Sequence, residues 1–376
     1  MVDWLLAEGR LLPELDQIVL RLGQTLLAAG APLWRLRLST RTLHPLIAAF
    51  TSVWNRDSEV TERTEARHGL EGRSGYLGSP LETIARTGSA FRKRLSQGLT
   101  AEDHEVLHDL RARGGTDYLG LPMRYSDGTL ANLVFTTDRA GGFCEADIVG
   151  FEQIAAVMAP IAEVFATRRM ALAVAETYLG PRSGRRVLEG QITRGHIDTI
   201  EAAILVSDIR DWTGLSARLS TEAALSIANA YFEIVSRAVA AEGGEVLKLI
   251  GDGVLAVFPV GEGELSVAAA CERALAAASR SLRSPRSPDL RFGIGLHVGE
   301  VLYGNVGSAE RLDFTVMGQA VNLASRIEGL CERLGEPLLY SQAFADRLAG
   351  PSQRIAEAPL KGHSGRFAIL TAASTP

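Results

Sequence analysis

The stretch Val246–Phe258, VLKLIGDGVLAVF, limits the fold more than any other part of the chain. Two apolar, β-branched-rich runs flank Gly251-Asp252-Gly253, which is the composition of a strand, a tight turn and a returning strand. Lys248 interrupts the first run, and Asp252 occupies the turn. Taken alone, the segment is equally well read as a hairpin whose turn happens to use Asp-Gly. A second carboxylate changes that balance. Ala202–Val206 is another buried-type strand, and it ends in Ser207-Asp208-Ile209. Carboxylates at two strand ends can meet side by side. Such a pair holds hard cations, which prefer oxygen ligands and can carry a nucleotide's phosphates.

The chain has 376 residues, room for two domains with separate cores. Apolar residues make up 46% and charged residues 22%, as in soluble globular proteins. The net charge of −5 argues against a general affinity for nucleic acid or anionic membrane. MVDWLLAEGR lacks the basic flank and cleavage site of a signal peptide, and no uninterrupted apolar run approaches the length of a membrane span. Cys144, Cys271 and Cys331 are far apart and lack metal-ligand spacing, so they read as reduced thiols of a cytoplasmic protein.

In the first half, helical spacing from Leu11 to Ala29 ends at Gly30-Ala31-Pro32. Leu33–Trp54 is compatible with helix or strand, and Asn55–Ser79 reads as a polar, Gly-rich loop. Thr100 is placed to cap a helix with acids in its first turn. Tyr118–Met123 and Leu130–Thr136 read as strands joined across Ser126-Asp127-Gly128. Gly141-Gly142-Phe143 leads into an apolar helix, Asp147–Val164, that can continue through Arg169. This order of strand, Asp-Gly turn, strand, Gly-Gly-Phe and closing helix resembles a GAF-type sensor domain, which implies a small-molecule pocket or a dimer contact. His104-Glu105-Val106-Leu107-His108 matches the H-E-x-x-H zinc signature, but the third ligand of the extended form is missing downstream. A zinc protease is therefore rejected.

Thr177–Gly195, rich in Gly and Arg, is either a plain linker or, given Val187, Leu188 and Ile192, a packed coupling element. Strands and helices then alternate. Ala202–Asp208 is a strand, and Thr221–Glu242 is a helix with Leu225, Ala228, Phe232, Val235 and Val239 on one face. The hairpin follows, then a helix near Leu265–Leu282 and a strand pair, Arg291–Val298 and Val301–Val306, turning at Gly299-Glu300. A helix over Asn322–Leu334 and short strands near Leu338–Tyr340 and Phe367–Leu370 complete the pattern, which argues for an α+β sandwich of ferredoxin-like type.

Four segments occur in one order: Val206-Ser-Asp-Ile-Arg-Asp-Trp-Thr213, Lys248-Leu-Ile-Gly-Asp252, Gly295-Leu-His-Val-Gly-Glu-Val-Leu-Tyr-Gly-Asn305 and Phe314-Thr-Val-Met-Gly-Gln-Ala-Val-Asn-Leu-Ala-Ser-Arg326. Together they resemble the catalytic domain of class III adenylate/guanylate cyclases. The organisation expected is a GAF-like α/β sensor domain over 1–170, a connector over 171–200 and the catalytic domain over 201–376. The resemblance implies conversion of ATP to cyclic AMP and pyrophosphate at a homodimer interface, with two Mg²⁺ or Mn²⁺ per site. Asp208 and Asp252 match the metal-binding carboxylates, with the Ile209 carbonyl as a further ligand. Lys248 and Thr315 match the purine-recognition pair. Asn322 and Arg326, four apart on one helical face, match the residues that orient the ribose and stabilise the pentavalent phosphorus. Arg311 and Lys361 correspond to contacts to the terminal phosphates.

Departures from the family pattern are Trp212 for the common Phe, Gln319 for a usual Asp or Asn, and Thr315 for the Asp of many adenylate-selective members. A bacterial subgroup that uses ATP carries Thr there. Guanylate-selective members carry Glu and Cys at the Lys248 and Thr315 positions, and a cationic Lys cannot accept from the N1–H and N2 donors of guanine. ATP is therefore the favoured substrate. The competing expectations are a guanylate cyclase and a catalytically silent nucleotide-binding module.

Overall fold

The computed structural model describes residues 1–41, 47–69, 72, 75–190, 197–261, 266–308, 310–360 and 365–373. The chain divides into two compact units, Met1–Val174 and Ala175–Pro376.

The first unit contains helices α1 (Val2–Ala7), α2 (Leu15–Ala28), α3 (Pro80–Thr87) and α4 (Glu105–Ala112), and most of α5 (Glu145–Leu179), in which the boundary falls. Its strands are β1 (Arg35–Arg41), β2 (Ile47–Asn55), β3 (Glu62–Arg67), β4 (Phe91–Arg94), β5 (Asp117–Arg124) and β6 (Leu130–Thr137). They form one antiparallel sheet in the order β3-β2-β1-β6-β5-β4. Strand alternation sorts the side chains. Leu36, Leu38, Leu133 and Phe135 meet Ile18 and Leu22 of α2 and Phe151, Ile154 and Met158 of α5 in the main core. On the other face Leu107 and Leu110 of α4 pack on Trp34, Tyr118 and Val134. By length and composition α5 could cross a membrane, which the sequence reading did not foresee. Its buried face against the sheet is that of a core helix.

The second unit contains α6 (Pro181–Leu188), β7 (Ile197–Ile209), α7 (Trp212–Arg218), α8 (Thr221–Ala241), β8 (Glu245–Ile250), β9 (Gly253–Pro259), α9 (Val267–Arg283), β10 (Phe292–Gly307), β11 (Leu312–Met317), α10 (Gln319–Glu328), α11 (Cys331–Leu334), β12 (Leu338–Ser341), α12 (Gln342–Ala345), β13 (Ser352–Pro359) and β14 (Arg366–Ala372). Its sheet runs β13-β14-β12-β10-β7-β9-β8, with β11 paired to β10. Each of the central strands β10-β7-β9-β8 is antiparallel to its neighbour, and α8 and α9 supply the two crossovers between parallel strands. That is the strand–helix–strand–strand–helix–strand arrangement of a ferredoxin-like sandwich. β7 is buried on both faces. Ala203 and Leu205 meet Tyr231 and Val235 of α8 and Ala274 of α9, while Ala202 and Ile204 meet Phe314 of β11 and Ala320 and Ala324 of α10. Gly295 permits the close approach of α10, because a Cβ there would lie 2.4 Å from the Glu328 backbone nitrogen.

Several expectations are corrected. Residues 291–306 do not form a strand pair turning at Gly299-Glu300. β10 is one continuous strand that stays in register with β7 from Phe292↔Ile209 to Gly304↔Ile197. The expected loop after Asn55 contains β3, a polar edge strand. The helix after Thr100 starts at Glu105, because the Asp103 carboxylate accepts from the Thr100 N–H (2.8 Å) and His104 takes the cap. On α8 the exposed Leu225 is replaced in the core by Ala224, Tyr231 and Ala238. The helix over Asn322–Leu334 divides into α10 and α11.

Candidate active site

The end of β7 and the turn between β8 and β9 meet because β7 pairs with β9 throughout its buried length. Asp208 is paired with Gly253, and the Ile209 N–H donates to the Asp252 carbonyl at 3.4 Å. The two carboxyl groups are therefore neighbours. Burial and the Asp252 charge push the Asp208 carboxyl up to about 6. Arg210 opposes this shift only in part, its guanidinium being bound to the Glu328 carboxylate. Two carboxylates that repel one another at a pair of strand ends fit a hard cation. Among the described residues no cluster of three or more His, Cys, Asp or Glu side chains occurs. Two carboxylates are hard oxygen donors of the kind that suit Mg²⁺ or Mn²⁺.

A second group lies on β8 and β11. Lys248 Nζ donates to Asp313 Oδ2 at 2.9 Å, and Thr315, buried, lies two residues further along the same face of β11. A cavity of about 980 Å³ is lined by Lys248, Gly251, Arg311, Asp313 and Phe314, with Tyr178 and Gly180 from the connector. Thr315, Asp208, Asp252, Asn322 and Arg326 do not line it.

The third group is on α10. Asn322 is exposed, and Arg326 is partly buried with an Nη1 that has no hydrogen-bond partner. One helical turn separates them, so both lie on one face, away from the Ala320 and Ala324 seam that docks the helix. Lys361 lies outside the described residues.

The connector is more than a linker. Glu245, at the start of β8 and 1% exposed, accepts from the backbone N–H groups of Arg182 (3.0 Å) and Ser183 (2.9 Å) and from the Tyr303 hydroxyl (3.0 Å). Arg186 lies over the Tyr303 and Phe314 rings and pairs with Asp198. α6 is thereby tied to the strands that carry Lys248 and Thr315. Sequence reasoning missed Asp313 and Glu245. Period-two alternation placed Asp313 on the face of Thr315, and a carboxylate opening an apolar strand was a signal at Glu245.

The two histidines of the H-E-x-x-H segment serve local structure. His104 Nδ1 accepts from the Val106 N–H, and His108 Nε2 bonds the Thr100 carbonyl at 3.0 Å.

Residues 196–335 match the family profile described as the adenylate and guanylate cyclase catalytic domain. An adenylate cyclase of Anabaena cylindrica is 34% identical over 163 residues, covering 42% of this chain and 32% of the relative. Adenylate cyclase 1 of Rhizobium meliloti is 35% identical over 150 residues, covering 38% of this chain and 23% of the relative. The chain thus spans a third or less of the length of these curated relatives. A solved bacterial light-regulated adenylyl cyclase is 31% identical with a TM-score of 0.39, over 46% of this chain and 91% of that one. The second unit carries a class III adenylate/guanylate cyclase catalytic domain.

Proposed function

We propose that the chain is an adenylate cyclase that converts ATP to 3′,5′-cyclic AMP and pyrophosphate, acting as a homodimer under the control of its first unit. The observation that carries this reading is the Asp208–Asp252 pair, set at the end of β7 and the β8–β9 turn within a domain matched to cyclases. Asp208, Asp252 and the Ile209 carbonyl are the ligands that would hold two divalent cations. When bound, Mg²⁺ or Mn²⁺ supplies positive charge that acidifies the ribose 3′-hydroxyl and neutralises the β- and γ-phosphates.

The chain's own groups do the rest. The Lys248 ammonium has three donors, so it can keep Asp313 and still donate to adenine N1. The adenine amino group then needs an acceptor, which Thr315 or Asp313 supplies. Asn322 orients the ribose. Arg326 acts at the phosphorus, where charge grows during in-line attack by the 3′-oxygen. Arg311, on the Lys248 cavity, and Lys361 take the terminal phosphates that leave as pyrophosphate.

One feature supports a dimer. Leu249 and Ile250 beside the Asp252 turn, and the cross-strand pair Leu302 and Met317, are apolar and exposed. A partner that covered them would also complete the site. We read residues 1–170 as a GAF-like sensor, 171–200 as a transducer and 201–376 as the catalytic domain. The six-stranded antiparallel sheet with closing helix α5, and the Glu245 clamp on α6, support that division. Three free cysteines suit a reducing, cytoplasmic setting.

The test is direct: the purified chain is assayed with Mn²⁺ and either ATP or GTP. Cyclic AMP from ATP is expected. A preference for GTP would make it a guanylate cyclase, and nucleotide binding without turnover would make it a silent module.

A further inference from the structure

The sheet of the first unit has a face that its helices do not satisfy. Arg35, Arg37 and Ser39 alternate with Leu36 and Leu38 on β1, so the arginines point away from the main core. Across the neighbouring strands, Ser39 is paired with Thr51 and Asn132, and Arg37 with Val53 and Val134. A cavity of about 200 Å³ opens on this face, lined by Arg37, Ser39, Thr51 and Asn132 and walled by apolar Leu81 and Val106.

Buried polar atoms need partners, and a buried cation needs an anion. The Nε atoms of Arg35 and Arg37 are buried, and neither has a hydrogen-bond partner. Among the described residues no carboxylate forms an ion pair with either. Glu65 reaches the cavity wall, but it is largely exposed and pairs with Arg63 at 3.4 Å. Burial lowers the Arg37 pKa, and burial with the Arg37 charge pushes Arg35 down to about 10. Asn132 Oδ1 is a third buried atom without a partner on the same face. Arg37, which lines the cavity and has no carboxylate partner among the described residues, presents a cation that an entering anion would neutralise.

We propose that this cavity binds a small molecule bearing an oxyanion, a carboxylate or a phosphate monoester, held by the Arg37 guanidinium. A planar guanidinium matches both oxyanions through paired hydrogen bonds. Leu81 and Val106 cover the apolar body. The volume is below the roughly 300–1,000 Å³ of sites for drug-sized ligands, which restricts the occupant to a small molecule.

Isothermal titration of the full chain reads the site without depending on turnover. The probes are 4-hydroxybenzoate, its neutral amide 4-hydroxybenzamide, and 4-hydroxyphenyl phosphate. At least one of the two anions binds wild type saturably with one site per chain, and the amide binds at least about tenfold more weakly. Whichever anion binds more tightly identifies the class. Arg37→Met weakens that anion by about tenfold or more, while its melting temperature without ligand is unchanged or raised, since a partly buried cation with no carboxylate partner is gone. Absence of binding by both anions, equal binding of acid and amide, or an Arg37→Met protein that binds as well as wild type would overturn the site. If Arg37→Met does not fold, the acid–amide comparison on wild type decides alone.

Discussion

Lys248 Nζ lies 2.9 Å from Asp313 Oδ2, which joins β8 to β11 two residues before Thr315. The side chains are 30% and 50% exposed, so the pair contributes less than about 1 kcal/mol to stability. Its consequence is orientation: the ammonium is held over the cavity that also takes Arg311. Asp313→Ala is therefore expected to leave the unfolding midpoint nearly unchanged and to raise KM for ATP by about 3–10-fold, with a smaller effect on kcat. Steady-state kinetics check this, and an unaltered KM would remove Asp313 from the base site.

The Asp208–Asp252 pair makes the chain pH-sensitive in a calculable direction. Asp208 is pushed up to about 6, chiefly by burial and then by Asp252. Cation binding needs the carboxylates ionised, so the Mn²⁺ concentration for half-maximal activity should rise about tenfold per pH unit below that value. In metal-free protein the sign is opposite. A carboxyl raised in the folded state adds stability that is full below its unfolded value near 3.8 and is lost as pH rises through about 6. Denaturant titrations of wild type and Asp208→Asn without metal should thus diverge between about pH 4 and 6 and run parallel above it. Curves parallel throughout would mean that Asp208 ionises normally.

Glu245 holds α6 to the catalytic sheet through three accepted hydrogen bonds, two from backbone N–H groups and one from Tyr303. Glu245→Ala leaves those donors buried without an acceptor, at a cost of about 2–4 kcal/mol. Tyr303→Phe removes one donor and costs about 1 kcal/mol. Urea unfolding of each variant followed by far-ultraviolet circular dichroism measures both. If the alanine variant were as stable as the phenylalanine variant, the clamp on α6 would carry no weight.

The hairpin bearing Lys248 and Asp252 was legible because apolar runs and a Gly-Asp-Gly turn agree on one local structure. The order of the four cyclase segments was legible because each is contiguous. Gly299 misled for a physical reason. Glycine often marks a turn, but here Gly299 sits in mid-strand opposite Ala202, where a Cβ would come within 3.0 Å of the Ala320 methyl. The requirement comes from a helix some twenty residues later, which no local pattern carries. β3 was missed because ERTEAR at a sheet edge lacks the apolar signature of a strand. The arginines of β1 were visible as residues, but their cavity depends on β2, β6 and α3 meeting in space.

The homodimer reading makes the most demanding prediction. If each site draws Asp208 and Asp252 from one chain and Lys248, Thr315, Asn322 and Arg326 from its partner, a two-fold dimer has two identical sites. Asp208→Ala breaks both sites of its homodimer, and so does Arg326→Ala. In a mixed dimer both lesions fall in the same site, and the other site is intact. Random pairing of equal amounts makes about half the dimers mixed, each with one working site, so about a quarter of wild-type activity should return on co-expression. Differently tagged variants purified in tandem isolate the mixed dimer, which should show about half of wild-type activity. An inactive, verified mixed dimer would mean that each chain builds its site alone, and the exposed Leu249, Ile250, Leu302 and Met317 would then need another partner.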